Sequence, residues 1–208
     1  MLPDLVVLHF TDMEDPESAI ARLCDPASGV SAHYLIDRRG GVVRMVEEAE
    51  RAWHAGAGAW GEVVDVNSRS IGIELCNSGD MPFAAAQMDA LESLLAGIMA
   101  RWSIPPARII GHSDCAPGRK VDPGPRFDWA RLARRGLAAL TPCGEAQGDL
   151  GGLLTAAGYT GSDDPEILLA ALRLRHRPWA QGAADARDRG IAAGLAGQAQ
   201  IDRSAGTA

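Results

Sequence analysis

Lysine is almost absent from this chain. Of the 20 Lys and Arg residues among 208, Lys120 is the single lysine. The bias makes the exception informative, because an ammonium is a compact point charge on a flexible stem and a guanidinium is a planar fork. Long apolar runs are absent too. No stretch approaches the roughly 20 residues that a bilayer-spanning helix needs, so no membrane-spanning segment is expected. Positive charge is not in excess: the net charge of −7 argues against duplex nucleic acid as a partner. The four cysteines, Cys24, Cys76, Cys115 and Cys143, form no CxxC pair, which argues against a structural zinc knuckle, and they read as free thiols. No basic segment precedes the short apolar run of MLPDLVVLHF, so that run reads as a strand rather than an export signal. The expected location is the cytoplasm, with the periplasm as the alternative if the N-terminus is truncated.

What is present suits a globular protein. Apolar residues make up 47% and charged residues 23%, and the length allows one domain plus a small appendix. Leu5–Phe10 and Ile71–Leu75 read as short buried strands. Val30–Asp37 and Val42–Val46 flank the hairpin signature Arg38-Arg39-Gly40-Gly41. Asp15-Pro16-Glu17 caps a short helix to about Cys24. Apolar residues at helical spacing predict a helix from about Phe83 to Trp102, stopped by Pro105-Pro106. Arg108–Gly111 reads as a strand delivering His112 to its C-terminal end, and Asp128 caps a helix to about Leu140. Strands and helices that interleave predict an α/β fold: a mixed β-sheet flanked by helices, residues 1–141. Beyond Thr141-Pro142-Cys143-Gly144, three helices are expected near 149–157, 165–175 and 184–195. They make a small C-terminal three-helix domain, 148–197, followed by a disordered tail, 198–208.

His9 and His112 each stand at the end of a predicted strand, and Asp122 follows His112 by ten residues through a Gly/Pro-rich loop. Two imidazoles and one carboxylate make a three-ligand zinc site with a position left for water, provided the two strands are neighbours. A lone histidine in an apolar run is otherwise a satisfied core residue. Glu74 alternates with Ile73 and Leu75. It is either an edge-strand residue facing solvent or a buried base with a raised pKa. Lys120 would place a cation near the metal, where an amide's tetrahedral intermediate carries negative charge. Cys115 is a packing residue or a further ligand.

In order along the chain, VVLHFT, SAHYLID, AWHAG, SIGIEL, PFAAAQMDAL and GHSDCAPGRKVDPGP resemble the type 2, zinc-dependent N-acetylmuramoyl-L-alanine amidases, the family that includes the peptidoglycan recognition proteins. The resemblance spans about residues 3–140. It implies one Zn2+ per chain held by His9, His112 and Asp122, with Glu74 as general base and Lys120 as the cation that stabilises the intermediate. The implied reaction is hydrolysis of the amide between N-acetylmuramic, or anhydro-muramic, acid and the L-alanine of a stem peptide. The implied partner is peptidoglycan or a muropeptide, met by a monomer. Thr11, His33, Trp53 and His54 are candidate substrate contacts. A buried place beneath the cleft competes for His33, and a place behind the ligands for His54. The C-terminal helices resemble a small peptidoglycan-binding domain, with a helical cap on the catalytic domain as the alternative. A non-catalytic recognition protein is the competing function.

Overall fold

Strand β1 (Leu5–Phe10) is the pivot of the structure, a computed structural model that describes residues 1–205, with side chains to residue 198. Its Val/Leu run is fully buried, as suits a strand covered on both faces. Four further strands complete the sheet among the described residues: β2 (Tyr34–Ile36), β3 (Val42–Arg44), β4 (Ser70–Leu75) and β5 (Ile109–Gly111). The spatial order is β3-β2-β4-β1-β5. β1 runs parallel to β4 and β5, β2 runs parallel to β4, and only the β2–β3 hairpin is antiparallel. The mixed sheet flanked by helices is therefore observed. The neighbouring of β1 and β5 that the metal-site argument needs is observed too.

Side-chain alternation assigns the faces. Val6, Leu8, Ile71, Ile73 and Leu75 point to one side and form the main core with the long helix α2. Leu5, Val7 and Ile110 point to the other and pack with Ala55, Val63, Val66 and Cys115. His9 and Glu74 belong to this second face by the same period, and their Cα atoms are register partners.

The helices are α1 (Pro16–Cys24), α2 (Ala85–Trp102), α3 (His112–Cys115), α4 (Trp129–Arg134), α5 (Leu150–Ala156), α6 (Pro165–His176) and α7 (Ala186–Ala205). The Asp15 carboxylate accepts from the Ser18 N–H, and Asp128, Asp149 and Asp164 cap α4, α5 and α6 in the same way. The helix expected to reach Leu140 ends at Arg134, two residues before Gly136, which takes φ +70°. Helix α7 runs past the expected tail boundary at 198 as far as Ala205; the end of that tail, 206–208, lies outside the described residues. Helices α5 to α7 share an apolar core built on Leu154, Tyr159, Leu168, Leu172 and Ile191, against which Trp60 of the first unit packs. No helix among the described residues is long and apolar enough to cross a membrane.

Candidate metal centre

The C-terminal ends of parallel strands are where an open α/β sheet presents its loops for chemistry. β1 delivers His9 there. β5 pairs Gly111 with Leu8, so His112, the next residue, arrives beside His9. The Asp122 carbonyl accepts from the Ser113 N–H at 2.9 Å, which folds the Gly/Pro loop back and returns the Asp122 carboxylate to the same spot.

The three side chains are buried and converge. His9 Nδ1 lies 3.0 Å from His112 Nδ1 and 2.8 Å from Asp122 Oδ2, and His112 Nδ1 lies 3.0 Å from that oxygen. The surrounding bonds settle which nitrogens carry protons. The Ala55 carbonyl can only accept, so His112 Nε2, 2.8 Å away, donates and Nδ1 is bare. The Ser70 hydroxyl gives its one proton to the Val66 carbonyl at 2.6 Å, so it accepts from His54 Nε2 at 3.3 Å. His54 Nδ1 is then an acceptor and takes the His9 Nε2 proton at 3.0 Å. His9 Nδ1 is therefore bare as well.

Two lone pairs and a carboxylate oxygen facing one another at these distances repel unless a cation lies between them. Tetrahedral zinc, with bonds of about 2.0–2.1 Å, spaces its ligand atoms about 3.3 Å apart, a few tenths of an ångström wider than the observed triangle. The donor set fits. Protonation fits too. Burial, then the neighbouring His112, lowers the His9 pKa to about 4. Neutral imidazole and ionised carboxylate are the forms that bind metal.

Glu74 lies across the same cleft, which is about 380 Å³ and is lined also by Thr11, His54, Arg119 and Lys120. β4 lies inside the sheet rather than at its edge, so the edge-strand reading of Glu74 falls. Its Oε2 is buried with no hydrogen-bond partner among the described residues. Burial first, and the Asp122 charge second, raise its carboxyl well above the ordinary value. An unpartnered buried acceptor is costly in a native structure and calls for a reason; a base that meets its proton donor only when substrate is present supplies one. Lys120 is exposed, and among the described residues its ammonium has no carboxylate within ion-pair reach.

The remaining candidates separate. His54 is buried behind His9 and orients it. A side chain at Gly72 would strike the His54 ring, so this strand glycine gives the imidazole room to lie on the sheet. His33 takes the buried alternative. It is 0% exposed, its Nδ1 accepts from the Gly72 N–H at 2.9 Å, and its Nε2 donates to the Glu50 carbonyl at 3.1 Å. Trp53 is 56% exposed and does not line this cleft. Thr11 lines the cleft, but its hydroxyl donates to the Met13 carbonyl at 2.6 Å. Cys115 is buried packing, its thiol against the His112 carbonyl.

Sequence reasoning passed over Asn67 and Arg119. Asn67 Oδ1 accepts from both the His54 and Ala55 N–H groups, at 3.0 and 2.9 Å. Arg119 donates to the Ala55 carbonyl at 2.7 Å, the same oxygen that orients His112. The one available signal was the position of Arg119 in the loop beside Lys120.

A family model described as N-acetylmuramoyl-L-alanine amidase matches residues 1–125. The amidase AmiD of Escherichia coli K12 is 42% identical over 151 residues, 65% of this chain and 54% of that protein. The 1,6-anhydro-N-acetylmuramyl-L-alanine amidase AmpD of Haemophilus influenzae is 45% identical over 103 residues, 49% of this chain and 56% of that protein. The chain thus spans about half the length of these curated relatives. Among solved structures, AmiD from E. coli complexed with anhydro-N-acetylmuramic acid-L-Ala-D-gamma-Glu-L-Lys superposes with a TM-score of 0.84 at 34% identity. That match covers 95% of this chain and 90% of the other.

Proposed function

Because the chain belongs to the N-acetylmuramoyl-L-alanine amidase family, we propose that it is a zinc amidase. It hydrolyses the amide between N-acetylmuramic, or anhydro-muramic, acid and the L-alanine of peptidoglycan stem peptides. The observation that carries this reading is the set of three deprotonated ligand atoms converging beside an unpartnered, buried Glu74 oxygen. The solved relative bound to an anhydro-muramyl peptide supports the substrate class.

His9, His112 and Asp122 would hold one Zn2+ per chain, with His54 and Ala55 fixing which nitrogens face it. Zinc, when bound, supplies Lewis-acid polarisation and water activation. Glu74 Oε2 accepts the proton of the attacking water and returns it to the leaving L-alanine nitrogen, and its raised pKa suits both steps. The Lys120 ammonium lies on the same cleft and offsets the charge that builds on the scissile oxygen.

The test is mass spectrometry of products from anhydro-muropeptide and from intact sacculi, with and without a chelator. Free stem peptide that disappears with chelation and returns with zinc is expected. Stem-peptide binding without release would establish the non-catalytic recognition reading instead. The same experiment bears on location: recycled anhydro-fragments are met in the cytoplasm and polymer outside it. A single-mass species in sedimentation is expected of the proposed monomer.

A further inference from the structure

Among the described residues the most deeply buried ion pair outside the metal centre, Arg175–Asp114, joins the C-terminal helices to the segment that carries His112. We propose that Arg175, on α6, is a positioning residue for the His112 ligand, and that the three-helix unit is thereby part of the scaffold of the metal centre. The inference rests on the zinc reading above.

One guanidinium grips this segment at two points. Arg175 Nη1 donates to Asp114 Oδ2 at 2.7 Å, and Nη2 donates to the Ile109 carbonyl at 3.1 Å. His112 stands between those two residues. Asp114 is 0% exposed, and its carboxylate also accepts from the Gly111 N–H at 2.8 Å and the Tyr159 hydroxyl at 3.1 Å. Two of its partners come from the C-terminal unit and one from the residue immediately before His112. The guanidinium lies over the Trp129 ring at 4.1 Å, so its plane is set by stacking as well as by bonds.

The contact continues down the loop towards the other functional residues. A side chain at Gly161 would meet Pro117 Cδ at 2.6 Å and the Cys115 carbonyl at 2.9 Å, and one at Gly118 would meet Ile167 Cγ2 at 3.0 Å. The C-terminal unit thus presses on residues 115–118, between His112 and the Lys120–Asp122 pair. Among the described residues the Gly111 amide is the one group of the first unit that bonds the Asp114 side chain. Groups that orient metal ligands from behind typically change metal affinity or activity about 10–100-fold when removed.

The test uses the full chain and two variants. The parent's zinc stoichiometry is measured first, and a parent that binds no zinc defeats the zinc reading itself. With zinc bound by the parent, Arg175→Met is expected to weaken zinc about 10–100-fold against a competing chelator. It should also alter the absorption spectrum of the Co2+-loaded protein and lower kcat more than it raises KM. A folded Arg175→Met with parental zinc affinity, Co2+ spectrum and kcat overturns the inference, even if its Tm falls. Should that variant not fold, Arg175→Lys decides. It keeps the charge beside Asp114, but one ammonium cannot reproduce the fork to Ile109. A folded Arg175→Lys with zinc affinity reduced about tenfold supports the inference, and parental values in all three readouts overturn it.

Discussion

Two of the buried clusters of charge among the described residues are built on opposite terms. In the C-terminal unit Asp188, 0% exposed, has both carboxylate oxygens bonded. Oδ2 accepts from Arg173 Nη2 at 2.6 Å and from the Asp185 N–H at 3.1 Å, and Oδ1 accepts from Arg177 Nη1 at 2.6 Å. Each carboxylate oxygen of Asp188 meets a donor, and the one group left over is a donor, Arg177 Nε; satisfied acceptors are what a buried network needs if it is to stabilise. In the metal centre three acceptors face one another and a fourth, Glu74 Oε2, has no partner. The folded chain holds that arrangement because the rest of the sheet overdetermines it. A matched cluster is finished when the chain has folded; an unmatched one is completed by what it binds.

Glu74→Gln breaks the comparison most sharply. Glutamine fills the same space but cannot take a proton, so turnover is expected to fall about 10²–10⁴-fold while zinc content stays near that of the parent. Parental turnover would remove Glu74 from the base role. Stability should move the other way. The folded pKa of Glu74 is raised, so its contribution is fully present below the unfolded value of about 4.3 and is lost as pH rises through the folded pKa. In the metal-free fold burial opposes ionising this carboxyl, whereas glutamine has no charge to bury. Metal-free Glu74→Gln is therefore expected to melt above the metal-free parent at pH 7, with the gap closing as the pH falls towards about 4. A Tm gap that is independent of pH would contradict this.

The matched cluster predicts the reverse pattern. Asp188→Ala leaves Arg173 and Arg177 without their buried partner, and is expected to cost about 3–5 kcal/mol of unfolding free energy. Denaturant unfolding checks this, with zinc stoichiometry of the folded fraction unchanged. Lys120→Ala comes next, with an expected loss of about 10²–10³-fold in kcat. Lys120→Arg is not expected to restore it fully, since a planar fork does not replace a point charge.

What could be read from the sequence follows the same division. His9, His112 and Asp122 were legible because strand ends and a Gly/Pro loop are local signals, and because β1 and β5 pair as the reading required. Glu74 was legible as one residue of an alternating strand, although its burial depended on β4 being interior. Asp114 and Arg175 were not, since 61 positions separate them and neither has a local pattern to mark it. The role of Gly72 was hidden for the same reason: the ring it accommodates belongs to His54, on a loop that spacing cannot place. The short helix α3 escaped because four residues, His112–Cys115, carry no periodicity.

Trp53 carries the smallest expected effect and sharpens the boundary of the site. An indole next to His54 in AWHAG suggests a flat apolar wall for sugar or peptide, yet the structure leaves it more than half exposed and off the cleft. Its backbone does the structural duty: the N–H donates to Ser31 Oγ at 2.9 Å and the carbonyl accepts from the Ser31 N–H at 3.1 Å. Truncating the side chain keeps both bonds. Trp53→Ala is therefore expected to change stability by no more than about 0.5 kcal/mol and to leave kcat/KM on a muropeptide within about twofold, a ratio that corresponds to less than 0.5 kcal/mol. A tenfold rise in KM with unchanged kcat would place the indole on the bound substrate after all, and would mean that the cleft extends over the Ser31–Trp53 edge when it is filled.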